Sequence, residues 1–319
     1  MIATALTRLF GIQHPVVLGP MGAVAGGALA AAVSNAGGLG LVGGGYRGGP
    51  GGGRGSALVE APTGKPWGVG FITWSASREV VELALEQRPH AVMLSFGDPR
   101  PHAALIKAAG CKLICQVQGL EEARLAVEAG ADLIVAQGTE AGGHGGTRAT
   151  LPLVPLIVDT VPPIPVVAAG GIADGRGLAA ALVLGAEGAL LGTRFYATPQ
   201  AIGHDNVKAR IVQASGGETL RTSVFDAVRG YDWQGRYTGR AVRNTFTERW
   251  HGHDDAALWQ APEREAYRQA AGQGDVGTAV VWAGENADLI TRIEPAGDIV
   301  QRIAREAEAL LAGAASRLR

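Results

Sequence analysis

The stretch PVVAAGGIADGRGLAAALVLGAEGALLGTRF, residues 165–195, decides the fold. It opens on the apolar run Pro165–Gly171 and passes through Gly177–Leu184 at helical spacing. It breaks at Gly185 and closes on a second apolar run, Gly188–Phe195. Apolar runs without alternation suit strands buried on both faces. A glycine just past a helical segment marks the helix end. Two strands joined by a helix in this way are expected to lie parallel, because a hairpin turn would be far shorter.

The same unit repeats upstream. Apolar runs occur at His14–Met21, Leu39–Gly45, Trp67–Thr73, Ala91–Gly97, Lys112–Gln118 and Asp132–Gly138, which makes eight with the two above. Helical patterns lie between them at Gly27–Ala36, Glu79–Arg88 and Glu121–Ala129. Eight strand–helix alternations predict an α/β protein, a (β/α)8 TIM barrel. A doubly wound sheet is the rival, and the count of eight favours the barrel. After the eighth run the pattern changes. Residues 197–285 hold most of the tryptophans and read as a mainly helical insertion over the barrel mouth. Residues 1–196 and 286–319 would form the barrel, with the amphipathic segment Pro295–Arg319 as its last helix. Residues 47–56 (RGGPGGGRGS) read as a flexible loop after the second strand.

Composition narrows the function. The 319 residues carry 28 basic and 29 acidic side chains, a net charge of −1, with a pI near 6.7. Nucleic-acid binders usually show a basic stripe and a pI above about 9, so no nucleic-acid partner is expected. Leu9–Tyr46 is uncharged and long enough to span a bilayer. Its glycines, Pro15, Pro20, Ser34 and Asn35 make it a buried strand–helix–strand instead, and no membrane contact is expected. The opening MIATALTRLF lacks a basic region followed by a long apolar core, so a cytoplasmic setting is expected. Cys111 and Cys115, four apart on one strand face, would sit about 13 Å from each other, too far for a disulfide. They read as packing inside the barrel or under it. His90 and His102 read as surface residues beside turns.

Active sites of such barrels lie at the C-terminal strand ends. Here those ends are almost all small or neutral, with no paired acids for glycosidic chemistry and no lysine for a Schiff base. Such a site suits a large bound cofactor. Gly170, Gly171 and Ile172 follow the seventh run, and Gly192 and Thr193 follow the core of the eighth. In barrels these two loops often cradle a phosphate with backbone N–H groups, and the Thr193 hydroxyl would add a donor. The bland alternative is a pair of tight turns. After the sixth run comes QGTEAGGHGG, residues 137–146, with His144 among five glycines on a long loop. An imidazole there is the natural proton acceptor or donor. The alternative is a histidine that only caps a turn or binds the cofactor. His251, His253, Asp254 and Asp255 lack a third ligand at sensible spacing, so no metal site is expected. Tyr231, Trp233 and Tyr237 read either as insertion core or as an aromatic wall over the site.

These motifs resemble the nitronate monooxygenases, formerly grouped as 2-nitropropane dioxygenases. The matching pieces are HPVVLGPMGAVAGGALAAAVSNAGGLG (14–40), QGTEAGGHGG (137–146), residues 166–195, GRAVRN (239–244) and WAGENADLI (282–290). The resemblance implies an FMN-dependent TIM-barrel enzyme. It would oxidise alkyl nitronates, with nitroalkanes as further candidate substrates, to a carbonyl compound and nitrite with O2 as electron acceptor. Its partners would be that small nitro or nitronate substrate and O2. By the same likeness Pro20, Met21 and Gly22 would lie against the flavin through their backbone. Gln116 and Gln137 would sit near the ring or ribityl chain, and Gly142 and Gly143 would pass close to the ring. Gly170, Gly171, Ile172, Gly192 and Thr193 would hold the phosphate, and His144 would be catalytic. Three positions differ from the usual pattern. Gln116 stands where some relatives have lysine, Gly70 where asparagine is common, and Gly284-Glu285-Asn286 where glutamine is usual. The AGGH pattern is shared with flavin-type enoyl-acyl-carrier-protein reductases and NAD(P)H:quinone reductases, so an NAD(P)H-dependent reductase is the alternative. A binding-only barrel for a flavin or phosphorylated ligand ranks below both.

Overall fold

The computed structural model describes residues 2–45, 62–233, 235–253 and 256–314. Eight parallel strands form the barrel: β1 (Val16–Leu18), β2 (Gly40–Gly43), β3 (Trp67–Ile72), β4 (Ala91–Ser95), β5 (Lys112–Val117), β6 (Leu133–Gln137), β8 (Val166–Ala169) and β9 (Ala189–Leu191). Between β6 and β8 lies the short strand β7 (Gly143–Gly145). The barrel order is β1-β9-β8-β6-β5-β4-β3-β2. The ring closes between β1 and β2 through a parallel bridge, Val17 to Leu39. Leu18 N donates to Leu39 O, and Leu39 N donates to Val16 O, each at 2.9 Å. Closure of this ring excludes the doubly wound sheet.

All eight apolar runs contain a barrel strand. The eighth is shorter than its apolar pattern, because residues 193–196 turn into a helix. Alternate side chains divide between two layers. Val17, Leu41, Met93, Ile114, Val135 and Val167 fill the barrel interior, and Leu6 and Phe10 of α1 (Ala5–Phe10) join that cluster. Val16, Val42, Val92, Leu113 and Ile134 face the helical layer. Cys115 belongs to that outer layer and not to the barrel interior, as does Cys111, whose Sγ–H donates to Pro89 O at 3.0 Å. Both thiols are buried and free, and burial pushes the Cys115 thiol up to about 12.

The barrel helices are α2 (Gly27–Asn35), α3 (Arg78–Glu86), α4 (Arg100–Ala108), α5 (Leu120–Glu128), α6 (Thr150–Thr160), α7 (Gly175–Val183) and the single turn α8 (Thr193–Tyr196). His102 lies buried on α4, contrary to its surface reading, while His90 is exposed. Residues 197–285 carry α9 (Asp205–Gln213), β10 (Thr219–Thr222), α10 (Val224–Arg229), β11 (Thr238–Val242), α11 (Thr245–Trp250) and α12 (Ala261–Gly272). The strands β10, β11 and β7 form a three-stranded antiparallel sheet, which joins this segment to the loop that follows β6. The last helix, α13 (Ala296–Ala314), packs against α7 and α2 and completes the helical ring. The 47–56 loop lies outside the described residues. Among the described residues no helix is long and apolar enough to cross a membrane.

Candidate active site

One cavity opens at the C-terminal ends of the barrel strands. Its wall includes every site residue expected from the sequence. Pro20, Met21 and Gly22 follow β1, Gln116 lies on β5 and Gln137 ends β6. Gly142, Gly143 and His144 follow β6, Gly170, Gly171 and Ile172 follow β8, and Gly192 and Thr193 follow β9.

His144 is not on an open loop. It sits in β7, opposite Gly239 of β11. Two arginines fix that strand. Arg221 donates to Thr139 O at 3.0 Å, to Gly145 O at 2.7 Å and to Thr238 O. Arg240 donates to Thr139 O at 2.9 Å and pairs with Glu285 at 2.8 Å. Burial, and then the neighbouring Arg240 charge, bring the Arg221 guanidinium down to about 10. It stays charged at neutral pH, so the backbone carbonyls of the histidine loop are held by charge-assisted hydrogen bonds.

The His144 side chain is 8% exposed, and its Nε2 lies 2.8 Å from Asp226 Oδ2. Its ring stacks on Trp233 with centroids 3.6 Å apart and planes 6° from parallel. Trp282 and Phe96 flank it at 5.2 and 6.4 Å. Burial lowers the His144 pKa; the Asp226 carboxylate works against this, and the Arg229 and Arg221 charges add to the lowering. Desolvation outweighs the carboxylate, so the imidazole is neutral at neutral pH. The wall reading of Trp233 is correct, since it lines the cavity. Tyr237 packs behind it at 6.2 Å and donates its hydroxyl to Glu122 at 2.7 Å. Phe96, with φ of 64°, is turned out of β4 against both.

The glutamines form a chain. Gln116 and Gln118 both donate to Gln137 Oε1, at 3.0 and 2.9 Å, and Gln137 Nε2 donates to the His144 carbonyl at 3.1 Å. Gln137 is thereby spent on holding the histidine backbone. The glycines differ in what they admit. A Cβ on Gly142 would fall 2.7 Å from the Ala283 carbonyl carbon and the Gly284 nitrogen, so this glycine serves packing of the late segment. A Cβ on Gly192 would meet only Met21 Sδ at 3.5 Å, and one on Gly143 would meet nothing within 4 Å. Gly70 has Pro20 Cγ at 2.3 Å from its Cβ position, which leaves no room for a side chain.

The two glycine loops are not equivalent. Asp174 caps α7, accepting from Arg176 N and Gly177 N. No side chain caps α8, and Thr193 Oγ1 accepts from Gly284 N at 3.0 Å while keeping its own O–H to donate. The guanidinium of Arg194 turns away, donating to Ala197 O and Arg292 O. Asn286 donates from Nδ2 to Ile172 O at 2.8 Å, and its buried Oδ1 has no partner.

The sequence reading missed Asp226, Arg229, Phe96, Trp282 and Asn286. One signal was available: Asp226 is a lone acid inside the apolar run Val224–Val228, where an unpaired charge would be costly. Among the described residues there is no cluster of three or more potential metal ligands. His251 and His253 are exposed, and Asp254 and Asp255 lie outside the described residues.

The chain is similar to several known proteins. A family model described as nitronate monooxygenase matches residues 3–79 and 72–306. A nitronate monooxygenase of Neurospora crassa is 34% identical, over 95% of this chain and 93% of its own length. A Mycobacterium tuberculosis protein, (3aS,4S,5R,7aS)-5-hydroxy-7a-methyl-1-oxo-octahydro-1H-indene-4-carboxyl-CoA dehydrogenase, is 39% identical, over 71% of this chain and 65% of its own. The structure of FabK from Thermotoga maritima superposes with a TM-score of 0.85 at 33% identity, covering 99% of this chain and 100% of that one.

Proposed function

The chain belongs to the nitronate monooxygenase family of oxidoreductases, and we propose that it binds FMN in this cavity and oxidises alkyl nitronates with O2. Nitroalkanes that ionise to nitronates would also serve, and the products would be a carbonyl compound and nitrite. The carrying observation is a buried imidazole, His144, and a guanidinium, Arg229, on the wall of the same cavity. Arg229 is the only permanently charged side chain among the described lining residues. A nitronate is an anion, and a guanidinium in the cavity wall favours it over a neutral ligand.

A flavin is the cofactor that family membership implies. Three features of the cavity fit FMN. The uncapped first turn of α8, the Gly170-Gly171 turn and the Thr193 hydroxyl suit a phosphate. The Cβ positions of Gly192 and Gly143 leave the cavity free where side chains would fill it. The orphaned Asn286 Oδ1 suits a hydroxyl donor such as a ribityl group. When bound, FMN supplies the acceptor for the substrate's two electrons, which O2 then removes. His144 would take the α-proton of a neutral nitroalkane, and Arg229 would hold the resulting negative charge.

The M. tuberculosis relative supports a second reading, dehydrogenation of an alicyclic carboxyl-CoA, for which Phe96, Trp233 and Trp282 offer an apolar wall. One experiment separates the readings: the anaerobic visible spectrum of the purified protein with each donor in turn. Bleaching of the flavin by an alkyl nitronate is expected. No response to nitronate, with bleaching by NADH or NADPH, would replace this function with that of a reductase. Bleaching only by the acyl-CoA would replace it with the dehydrogenase.

A further inference from the structure

We propose that Asp226 is the positioning residue for His144, fixing the neutral ring with Nε2 protonated and Nδ1 as its basic atom. The two residues lie 82 positions apart and meet at 2.8 Å. An ionised carboxylate can only accept, so a neutral imidazole bonded to it through Nε2 must carry its proton there. The lone pair is then on Nδ1, to which no hydrogen bond is made among the described residues. Since His144 lines the cavity, Nδ1 is the nitrogen left for a ligand.

The ring has little freedom to exchange the two nitrogens. Trp233 covers one face at 3.6 Å, and Trp282 and Phe96 stand at 5.2 and 6.4 Å from the ring. Asp226 is itself held. It is 2% exposed on α10, its backbone carbonyl accepts from Tyr231 N at 2.9 Å, and Arg229 Nη1 stands 3.9 Å from its Oδ1. The charged groups acting on the ring are Asp226, which favours the imidazolium, and Arg229 and Arg221, which oppose it. When Nδ1 takes a proton, Asp226 is the counter-charge. This is the division of labour between a base and its orienting carboxylate seen wherever such pairs recur.

The base role rests on the oxidation proposed above, whereas the tautomer does not. The first measurement is therefore made on the wild-type holoenzyme labelled with 15N-histidine, above the ordinary histidine pKa range. The His144 signals are identified by their loss in His144→Gln. A protonated Nε2 and a bare Nδ1 are expected, and the opposite tautomer would overturn the proposal without any appeal to activity. The second measurement uses Asp226→Asn, matched for flavin content. Anaerobic flavin reduction by a neutral nitroalkane should fall at least about 100-fold, while reduction by the preformed nitronate, which needs no proton removal, should fall at least about tenfold less. The His144 titration should also move to lower pH, because a negative charge has been removed. Equal losses on both substrates with an unmoved titration would make Asp226 merely structural. A wild-type enzyme inert to both substrates would defeat the nitronate reading, and the tautomer would still decide the role of Asp226.

Discussion

At the scale of the residue, His144, the proposed base, is also a packing residue. It packs against Trp233 and Trp282 and donates to a buried carboxylate. Cutting it to alanine would leave Asp226 buried without its donor, at a cost of about 1–3 kcal/mol, and would open a hole beside the indoles. Loss of activity in His144→Ala would therefore mix catalysis with packing. His144→Gln is the cleaner change, because its amide N–H₂ can still donate to Asp226. This variant should keep its flavin and its melting temperature and lose about 10²–10⁴-fold in flavin reduction by nitroalkanes. Normal turnover in it would remove His144 from the chemistry. The lowered pKa of His144 sets the pH dependence. The base form is the neutral one, so nitroalkane oxidation should be level across neutral pH and fall only below the ordinary histidine value of 6.5. A fall beginning well above 6.5 would mean that another group controls the rate.

At the scale of the element, the phosphate reading depends on the turns after β8 and β9. Gly171 has φ of 75°, so a valine there would strain the backbone whether or not a ligand is bound. Gly192 has φ of −106°, within reach of any residue, and its Cβ position is open apart from Met21 Sδ. Gly192→Val should lower FMN occupancy at least about tenfold and leave the melting temperature of the flavin-free protein within a few degrees of wild type. Full occupancy in that variant would put the phosphate elsewhere. The histidine loop shows what local reading misses. From QGTEAGGHGG alone, five glycines argue for a mobile loop. The strand β7 forms because β11 pairs with it and Arg221, from β10, satisfies its Gly145 carbonyl, while Arg240, from β11, holds the Thr139 carbonyl that precedes it. Those partners lie 76 and more residues away, beyond any local pattern.

At the scale of the whole molecule, buried histidines tie stability to pH. His14, His102 and His144 all have lowered pKa values, each chiefly through burial. A histidine that is harder to protonate when folded takes up a proton on unfolding once the pH is below its unfolded value. The stabilisation is complete above about 6.5 and is lost as pH falls from there through the folded pKa values. Asp98, Asp174, Glu218 and Glu294 are lowered too, and their share is lost at lower pH, below the ordinary carboxylate values of 3.8 and 4.5. The melting temperature should thus decline in two stages on acidification. Replacing His102 with glutamine should shrink the first stage, and a melting temperature flat from neutral pH down to the carboxylate range would contradict this account.

The amino-acid sequence alone specifies the barrel. Continuous apolar runs, glycines at their ends and helical spacers are local signals, and each of the eight runs holds a strand. It also determined which strand ends would gather, because parallel strands in a ring must bring their C-terminal ends to one mouth. What surrounds His144 is set by long-range packing. Asp226, Trp233, Arg229 and Trp282 reach it from residues 226–282, which carry no barrel periodicity. Their partnership with the histidine is a matter of distance across the fold. Spacing along the chain encodes backbone hydrogen bonding and the side that faces the core; it does not encode which charge stands 2.8 Å from a ring nitrogen.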